Sequence, residues 1–421
     1  MTQKKNNKIE ILAPAGSFET LRTAIDAGCD SVYLGVGDMN MRAGAAKNFQ
    51  VSDLAEVAKL CHEKGVRAYI TINNQYFDEE LDRVKALVDE VAKHELDAVI
   101  AADMSIVIYA QGKGPEVHIS TQLSVSNIES LKFYAQYADR FVLARELSLK
   151  QVKYIADQIK KQKITGPKGQ LVQIEVFGHG ALCVAVSGRC AMSLYCYNKS
   201  ANRGLCTQIC RRAYKVTDIE TSQELKIDNN YVMSAADLCT IGMLDRLIDS
   251  GVNVLKIEGR ARTPDYVDTV VHTYRDALEA VYAGTYTKEK VKEWNERLKT
   301  VFNRGFTEGF YMGRKADEWS RGPGNKAVKK RFQLGVVTNY FNDLSVAEVA
   351  LHADAGLEEG DEFNITGQTT GLVQGKITGL RADGKPARNA GQGDVITFKV
   401  PRKVRRGDVF FVIRKNIGQG A

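Results

Sequence analysis

The stretch IEILAPAGSFETLRTAIDAGCDSVYLG, residues 9–35, contains a complete strand–helix–strand pattern. Residues 9–13 and 31–35 are short apolar runs, as buried strands of a parallel sheet are. Between them, residues 18–27 show the spacing of an amphipathic helix. Two strands joined by one helix predict an α/β fold with a parallel sheet.

The same alternation continues to residue 258 and gives eight apolar runs in all. Eight strands that alternate with helices predict a closed (β/α)8 barrel, of the TIM type; a doubly wound open sheet is the alternative, because it has a similar order of elements. The long insertion after the seventh strand departs from a plain barrel. The predicted strands are residues 9–13, 31–35, 66–71, 97–102, 116–120, 141–145, 172–177 and 253–258.

The insertion after the seventh strand is rich in cysteine and in basic residues. Residues 172–215 read VQIEVFGHGALCVAVSGRCAMSLYCYNKSANRGLCTQICRRAYK and hold five of the chain's eight cysteines. Between Cys183 and Lys215 there are six basic residues and no Asp or Glu. Thiolates among cations favour a cysteine-ligated metal, because positive charge offsets the negative charge of the ligands. The candidate ligands are Cys183, Cys190, Cys206 and Cys210.

The spacing of these four cysteines distinguishes between kinds of metal site. Six, fifteen and three residues separate them in order. Structural zinc sites use paired C-x2-C knuckles, so the spacing favours an iron–sulfur cluster, with zinc as the alternative. The radical-SAM arrangement is excluded because Ala213 occupies the position of its third cysteine. Burial as small side chains would explain one or two cysteines, but hardly five in one polar loop.

Composition limits the class of protein. The 421 residues are 44% hydrophobic and 26% charged, which is typical of a globular chain with a large domain and a smaller one. The start, MTQKKNNK, lacks the apolar core of a signal peptide, and no apolar run approaches the length of a membrane span. We therefore expect a cytoplasmic protein with reduced cysteines and no membrane partner. The formal charge of +7 permits an acidic partner such as RNA.

Three regions are predicted along the chain. Residues 1–261 form the barrel, with the cysteine-rich loop at 178–215, and residues 262–331 form a helical extension and a glycine-rich, basic linker. Residues 332–421 contain short alternating runs separated by Gly and Asp turns, which predicts a small antiparallel β-barrel. Basic residues here are candidates for phosphate contacts, the alternative being an ordinary solvated surface. They are Lys329, Lys330, Arg331, Arg402, Lys403, Arg405, Arg406, Arg414 and Lys415.

In barrels of this type the chemistry takes place at the C-terminal ends of the strands. Polar residues follow every predicted strand except the first, so we expect a polar mouth beside the cysteine loop. Single residues have simpler explanations: Glu146 could pair with Arg145, and His179 could cap a turn. The residues are Asn40, Arg42, Asn73, Asn74, Asp103, Thr121, Gln122, Arg145, Glu146, His179, Glu258 and Arg260.

Residues at the start of the cysteine loop resemble the signature of the peptidase U32 family. The matching positions are Glu175, Phe177, Gly178, Gly180, Ala181, Leu182, Cys183, Gly188, Cys190, Met192 and Ser193. Residues 9–35 and the segments HISTQLSVSN, FVLARELS and VLKIEGRARTPDYV are also similar to segments of that family. The resemblance covers nearly the whole chain, and the last ninety residues resemble the family's C-terminal domain, which is similar to the second domain of translation factors.

This resemblance implies a function in RNA modification. Family members that look like this chain hydroxylate RNA bases, forming 5-hydroxyuridine at the tRNA wobble position or modifying a cytidine of large-subunit rRNA; the compact chain is more similar to the tRNA type. The resemblance also implies an iron–sulfur cluster, of 4Fe–4S type, on the four cysteines named above, and prephenate as co-substrate or ligand. The implied partners are tRNA, with rRNA as the alternative, the iron–sulfur assembly machinery and an electron donor.

For such a reaction we assign roles from predicted position. Asp103, His179 and Glu258 are the predicted proton-transfer groups. A dianion such as prephenate would bind arginines, and a base splayed out of its stack would pass basic and aromatic side chains. The predicted substrate-binding residues are Arg42, Asn74, Gln122, Arg145, Glu146, Arg203, Arg212 and Arg260.

Two other functions are weighed against RNA hydroxylation. The family name suggests a collagenase-like peptidase, but the H-E-x-x-H and G-x-S-x-G motifs are absent. Cys183 beside His179 would be the remaining nucleophile, yet a cysteine protease needs one activated thiol rather than four in a basic loop. The second alternative is an iron–sulfur or RNA-binding accessory scaffold, which modified nucleosides would distinguish from an enzyme.

Overall fold

A closed barrel of eight parallel strands forms the larger part of the chain. The architecture comes from a computed structural model that describes residues 8–225, 233–313, 319–320, 322, 324–353 and 356–416. Part of the predicted linker at 304–331 and the last residues of the predicted C-terminal domain lie outside these ranges. The first seven barrel strands are β1 (Glu10–Pro14), β2 (Ser31–Gly35), β3 (Arg67–Ile72), β4 (Ala98–Ala101), β5 (Glu116–Ile119), β6 (Arg140–Val142) and β7 (Gln173–Ala181).

The eighth barrel strand follows the cysteine loop and closes the ring. Three short strands come first: β8 (Val216–Thr217), β9 (Glu224–Leu225) and β10 (Asp237–Cys239), the last of which runs antiparallel to β7. Next comes β11 (Val254–Ile257), which pairs in parallel with both β1 and β7. The predicted (β/α)8 barrel is therefore confirmed, and the open doubly wound sheet is wrong because such a sheet has two unpaired edges.

Amphipathic helices surround the barrel and bury their apolar faces on it. Helix α3 (Leu81–Lys93), for example, buries Val84, Leu87, Val88 and Val91, which lie on one face at helical spacing. Among the described residues no helix is both long enough and apolar enough to cross a bilayer. The helices are α1 (Phe18–Asp26), α2 (Leu54–His62), α3 (Leu81–Lys93), α4 (Met104–Ala110), α5 (Ile128–Ala135), α6 (Leu149–Gln162), α7 (Met192–Tyr197), α8 (Leu244–Asp249), α9 (Pro264–Tyr282) and α10 (Lys288–Leu298).

A buried network of charged and polar side chains fills the barrel at the N-terminal ends of its strands. Both terminal nitrogens of the buried Arg140 guanidinium donate to Glu10, one to each carboxylate oxygen at 2.9 Å. The Tyr69 hydroxyl donates to Glu10 Oε1 at 2.8 Å, and His118 Nε2 lies 3.1 Å from Glu116 Oε2. We call these five residues the barrel floor. Bidentate pairing offsets the cost of burying their charges.

The residues after α10 form a short strand and then a second domain. Strand β12 (Phe306–Thr307) pairs with β10 beside the barrel. The strands of the C-terminal domain are β13 (Lys329–Phe341), β14 (Val346–Leu351), β15 (Leu357–Glu358), β16 (Glu362–Gly367), β17 (Gly371–Lys376), β18 (Arg381–Ala382), β19 (Lys385–Pro386), β20 (Asn389–Ala390), β21 (Val395–Lys399) and β22 (Val409–Lys415). Eight of them form one antiparallel sheet in the order β17-β16-β22-β13-β14-β21-β18-β19, and β15 pairs with β20. Phe363, Phe398 and Phe410 lie in the core of this domain.

The C-terminal domain packs on the barrel through β17 and α1. Arg22 Nε of α1 donates to the Gln368 carbonyl at 2.9 Å, and Gln374 Nε2 donates to Asp268 Oδ2 at 2.9 Å. Gly371 allows close approach, because a Cβ there would lie 3.1 Å from the Cβ of Arg22. These contacts fix the position of the C-terminal domain against the first barrel helix.

Four of the basic residues predicted to contact phosphate are paired with acids instead. The ion pairs have N–O distances between 2.5 and 3.3 Å. Each one neutralises the charge of a basic side chain that the sequence analysis listed as a candidate for phosphate contacts. For these four residues the structure favours the alternative of an ordinary solvated surface, and phosphate contacts by the others stay a prediction. The pairs are Lys329–Glu362, Arg331–Asp265, Arg402–Asp26 and Arg414–Asp361.

Candidate active site at the mouth of the barrel

A cavity of about 190 Å³ lies where the cysteine loop meets the C-terminal ends of the barrel strands. We call it the thiol cavity, because its lining includes all four of the predicted ligands: Cys183, Cys190, Cys206 and Cys210. Residues Arg42, Gln122, Arg145 and Glu258 line it from the barrel side. The seventh strand leads directly into the loop, so strand ends and thiols face one space.

The four thiols are close enough to influence one another. Burial raises the pKa of the Cys210 thiol; the charges of the other three act in the same direction, whereas Arg211 opposes them. Cys196 belongs to the same loop but is exposed and does not line the cavity. Four thiols on one cavity, flanked by cations, are a donor set that fits an iron–sulfur cluster.

The kind of metal stays a prediction. Among the described residues, no group of three or more His, Cys, Asp or Glu side chains is arranged to hold one ion. Zinc needs its four ligands around one centre, whereas in a cluster the thiolates bind different iron atoms. This finding does not decide between zinc and a cluster on the four thiols.

Arg211 ties the cysteine loop to the barrel. One terminal nitrogen donates to the Leu182 carbonyl, directly before Cys183, and the other donates to the Ala235 carbonyl and to Ser234 Oγ. Arg211 is also the residue after Cys210 and lines the thiol cavity. Its guanidinium therefore holds both ends of the loop together while placing a positive charge beside two thiols.

Glu258 is the one carboxylate on the thiol cavity within the described residues, and it is held in the charged form. Its Oε1 accepts from Arg42 Nη2 at 2.9 Å and Nε at 3.2 Å, and its Oε2 lies 3.2 Å from the Tyr33 hydroxyl. Burial opposes ionisation, but Arg42, Arg260 and Arg145 together lower the pKa of Glu258 to about 2. Such a group orients cations well and is a weak proton acceptor at neutral pH.

Other polar atoms at the mouth have no partner in the described part of the chain. Gln122 Oε1 and Arg145 Nε are buried without a hydrogen bond, although both residues line the thiol cavity. The Arg145 guanidinium carbon lies 4.1 Å from the centre of the Phe177 ring, which holds it in place. A buried polar atom without a partner costs stability, so these atoms are best explained as contacts for a ligand.

A second cavity of about 230 Å³ adjoins the first one. Met41, Gln122, Gly188 and Asn202 line both. The neighbouring cavity also contains Asn74, whose Nδ2 donates to the Asp38 carbonyl at 3.0 Å while its Oδ1 is buried without a partner. The two cavities therefore form adjacent compartments of one polar mouth.

Comparison with known proteins gives the family. The family model described as Peptidase family U32 matches residues 16–321 of the chain. This protein belongs to peptidase family U32. The match begins just after β1 and ends beyond β12, so it spans the barrel together with the thiol cavity.

Three relatives show how varied the names within the U32 family are. A collagenase of Porphyromonas gingivalis W83 is 46% identical over 405 residues, covering 96% of this chain and 98% of the relative. The tRNA hydroxylation protein P1 of Bacillus subtilis 168 is 32% identical over 368 residues, covering 86% and 84%. A 23S rRNA 5-hydroxycytidine synthase of Escherichia coli K12 is 30% identical over 389 residues, covering 90% and 54%.

His179 of this U32 chain is not at the mouth, contrary to the sequence-based expectation. It lies on β7 with 1% of its surface exposed, and its ring packs against Tyr266, Tyr274 and Phe306. Burial, assisted by Arg262, lowers its pKa to about 3. The pairing of β7 with β11 shifts register after Phe177, so His179 leaves the face that Glu175 and Phe177 share and its ring turns toward α9.

Four other predicted residues also lie outside the thiol cavity. Asp103 caps α4, accepting from Ser105 N at 3.0 Å, and lines the neighbouring cavity. Arg203 forms a bidentate pair with Glu80 at 2.7 and 2.9 Å. Arg212 donates to the Tyr197 hydroxyl at 2.6 Å, and Glu146 is exposed.

Arg260 is turned into the barrel. Its Nη1 donates to Asn40 Oδ1 at 2.8 Å and to Thr71 Oγ1 at 2.7 Å, while its Nε is buried without a partner. Burial lowers the pKa of Arg260 to about 10, so it stays charged at neutral pH. Its positive charge helps to lower the pKa of Glu258, although Arg260 does not line the thiol cavity.

Two arginines of the cavity were missed from the sequence. Arg262 and Arg304 line it, and Arg304 Nη1 donates to Asp237 Oδ1 at 3.2 Å. Both lie in regions that the sequence analysis assigned to a helical extension and a linker. Their common signal is a basic residue two positions before α9 and two positions before β12, where the chain returns to the mouth.

Proposed function

We propose that this protein hydroxylates RNA bases, and specifically that it forms 5-hydroxyuridine at the wobble position of tRNA in a prephenate-dependent reaction. The names of the Bacillus and Escherichia relatives support RNA as the substrate class, with rRNA as the alternative RNA. The observation that carries the proposal is the thiol cavity itself: four cysteines, a charged carboxylate and several arginines around one space at the strand ends.

Hydroxylation of a base requires a redox cofactor, because amino-acid side chains alone do not carry out this oxidation. Exchanging the C5–H bond of uridine for a C5–OH bond removes two electrons from the base. An iron–sulfur cluster held by Cys183, Cys190, Cys206 and Cys210 would supply one-electron redox chemistry here, with an electron-carrier protein as partner and the cellular assembly machinery as source.

The residues around the cysteines are suited to an anionic co-substrate. Arg42 is already paired with Glu258, whereas Arg145 keeps a buried Nε without a partner. A dicarboxylate such as prephenate would accept hydrogen bonds from Arg145 and from the neighbouring Arg262 and Arg304. Glu258 would hold Arg42 in place, and Asp103, in the adjoining compartment, keeps the proposed proton-transfer role.

The base must leave its stack to reach this cavity. Gln122, with a free carbonyl oxygen at the junction of the two compartments, is suited to contact the edge of a splayed-out base. Asn74 offers a second amide oxygen in the neighbouring compartment. Both compartments open at the barrel mouth, so a single-stranded loop fits better than a stacked duplex.

The peptidase alternative has weaker geometric support, although one relative is named a collagenase. A cysteine nucleophile needs a histidine within hydrogen-bond reach. His179 is enclosed by aromatic rings, and none of the chain's six histidines, all within the described residues, lines the thiol cavity. The nucleophile–base pair of a cysteine protease is therefore not formed.

The test combines metal analysis with nucleoside analysis. The protein is purified without oxygen, and iron and sulfide are measured for the wild type, for a quadruple alanine variant of Cys183, Cys190, Cys206 and Cys210, and for the matched control Cys196→Ala. We expect about four irons per chain in the wild type and control, and none in the quadruple variant. Transfer RNA from a deletion strain carrying each form is then digested and analysed by mass spectrometry.

The outcomes separate the candidate functions. Hydroxylated nucleosides that vanish on deletion and return with the wild type and Cys196→Ala, but not with the quadruple variant, support the hydroxylase. Iron-free wild-type protein would contradict the redox reaction. Bound iron without any change in nucleosides would favour the accessory scaffold, and hydrolysis of gelatin by the purified chain would favour the peptidase.

A further inference from the structure

We propose that the cleft between the barrel and the C-terminal domain binds the phosphates of the RNA strand that flanks the target base. This inference rests on the proposed function, because it assigns the path of the same substrate. The cleft has a volume of about 700 Å³. The barrel contributes Ser17, Thr20 and Lys47 to its lining, and the C-terminal domain contributes Gln368, Arg405 and Arg406.

The charge of this cleft favours a polyanion. Six basic residues line it, against two acids: Lys47, Arg260, Arg262, Arg331, Arg405 and Arg406 face Glu19 and Asp408. Both acids are already engaged. Glu19 lies 3.7 Å from Lys47, and Asp408 accepts from Thr370 Oγ1 at 2.5 Å and from Arg405 N at 2.8 Å. Arg331 is paired with Asp265 and Arg260 is buried, so the positive charge available to a ligand comes from the other four basic residues.

Two arginines of the C-terminal domain that line the cleft are not neutralised by an acidic partner among the described residues. The Arg405 guanidinium donates to Thr369 O and Thr370 Oγ1, which are neutral acceptors. Arg406 is exposed and makes no hydrogen bond or ion pair with any residue that the structure describes. In contrast, Arg402 is paired with Asp26 and Arg414 with Asp361. Arg405 and Arg406 therefore present positive charge to the cleft.

The cleft and the thiol cavity are continuous. Ala45, Ala261 and Arg262 line both of them, so a ligand can extend from one into the other. A base that enters the thiol cavity would leave its sugar and phosphates near Arg262 and the neighbouring nucleotides in the cleft. Phosphate contacts of this kind position a nucleic acid without reading its sequence, while contacts to the base select it.

The experiment compares two double variants that remove the same charge. Lys47→Ala/Arg406→Ala removes two exposed cations from the cleft. Lys385→Ala/Arg388→Ala, the control, removes two exposed cations near β19, which lies at the opposite end of the sheet from β17. Binding of fluorescently labelled total tRNA from a deletion strain is measured by anisotropy at several KCl concentrations, with melting temperature and iron content as checks on the fold.

We expect the cleft variant to bind tRNA about 10-fold more weakly near physiological salt and to lower the log–log salt slope by about two, one for each lost phosphate contact. The control should match the wild type in both quantities. Equal binding by the cleft variant and the control would overturn the proposal. So would a wild type that binds poly-glutamate as tightly as tRNA, since the cleft would then fit an acidic protein segment.

Failure of the proposed function gives a different result. If tRNA from the deletion strain carries normal hydroxylated nucleosides, this protein is not the enzyme that hydroxylates them. Selective loss of tRNA binding in the cleft variant would still establish the cleft as an RNA-binding surface. The two conclusions are therefore tested by separate measurements.

Discussion

The two ends of the barrel both contain buried charges, but they use them differently. At the floor, Arg140 and Glu10 satisfy each other in a bidentate pair, and Tyr69 completes the shell of hydrogen bonds. At the mouth, several polar atoms lack partners. Six buried side-chain nitrogen and oxygen atoms lack a hydrogen bond in the described residues. One, His118 Nδ1, belongs to the floor, and another, Glu175 Oε2, lies 3.9 Å from Arg140. The other four belong to mouth residues: Asn74, Gln122, Arg145 and Arg260.

This difference separates residues that stabilise the barrel from residues that are free to bind. Barrels of this type carry their chemistry at the C-terminal ends of the strands, whereas the opposite end contributes to stability. A network of paired charges is costly to break, because each removed partner leaves a buried charge uncompensated. At the mouth, buried polar atoms without partners already lower stability, and a ligand that bonds to them would recover part of the loss. Substitutions at the two ends should therefore have opposite effects on stability and activity.

The largest expected effect on stability is at the floor. Arg140→Met removes the partner of Glu10 in an almost fully buried site, and we expect the free energy of unfolding to fall by about 3–5 kcal/mol. Denaturation in urea measures the change. The exposed pair Lys153–Asp157 provides the control, because Lys153→Met should change stability by less than about 0.5 kcal/mol. Equal losses in both variants would remove the distinction between floor and surface.

The floor should also respond to acid before the mouth does. Burial, assisted by Arg140, lowers the pKa of His118 to about 4, although Glu116 opposes the shift. The unfolded chain therefore binds a proton near pH 6.5 that the folded chain refuses until about pH 4. This contribution to stability is complete above pH 6.5 and is lost as the pH falls through that range; between pH 6.5 and 5 the loss is about 2 kcal/mol.

His118→Gln should flatten this pH dependence by that amount when unfolding is followed at pH 6.5 and pH 5. The contrast is Glu258 at the mouth, whose pKa of about 2 keeps it charged throughout this range. Glu258→Gln should therefore leave the slope between pH 6.5 and 5 unchanged. An unchanged slope in His118→Gln would show that the floor does not hold this imidazole neutral.

The smallest effect on stability should accompany a large effect on activity. Gln122→Met removes an amide whose buried oxygen has no partner, so we expect less than about 1 kcal/mol of change in the free energy of unfolding. The hydroxylated nucleoside content of tRNA from the complemented deletion strain should fall at least about 10-fold, because the amide would no longer contact the base. If Gln122→Met were strongly destabilised while tRNA modification stayed normal, Gln122 would be a structural residue and not a contact for the base.

The sequence predicted the barrel well because its signal is local and repeated. All eight predicted strands overlap observed ones, since a buried parallel strand appears as a short apolar run between helices. The four cysteines of the cavity could be selected because they share one loop. His179 was placed wrongly because the predicted strand ended at residue 177, whereas β7 continues to Ala181 with a register shift after Phe177 that turns the His179 ring outward.

Other parts of the site depend on tertiary packing that no local pattern reveals. Arg262 and Arg304 are separated in sequence by α9 and α10, and they meet at the cavity only because both helices pack back on the barrel. The floor was not predicted either, although Glu10, Glu116 and Arg140 lie at the N-terminal ends of their strands. Charged residues at strand starts are therefore a signal of a buried network in a closed barrel.

The direct pairing of β7 with β11 has a consequence for how the protein matures. The ring of hydrogen bonds closes through these two strands, so no cysteine of the loop is a link in it. Under the proposed function, the chain would therefore complete its barrel before any iron is bound. Cys183 and Cys206 are exposed, so the proposed cluster could be delivered to the folded chain. Folding and metal loading would then be successive events, and iron starvation would leave a folded chain without its cluster.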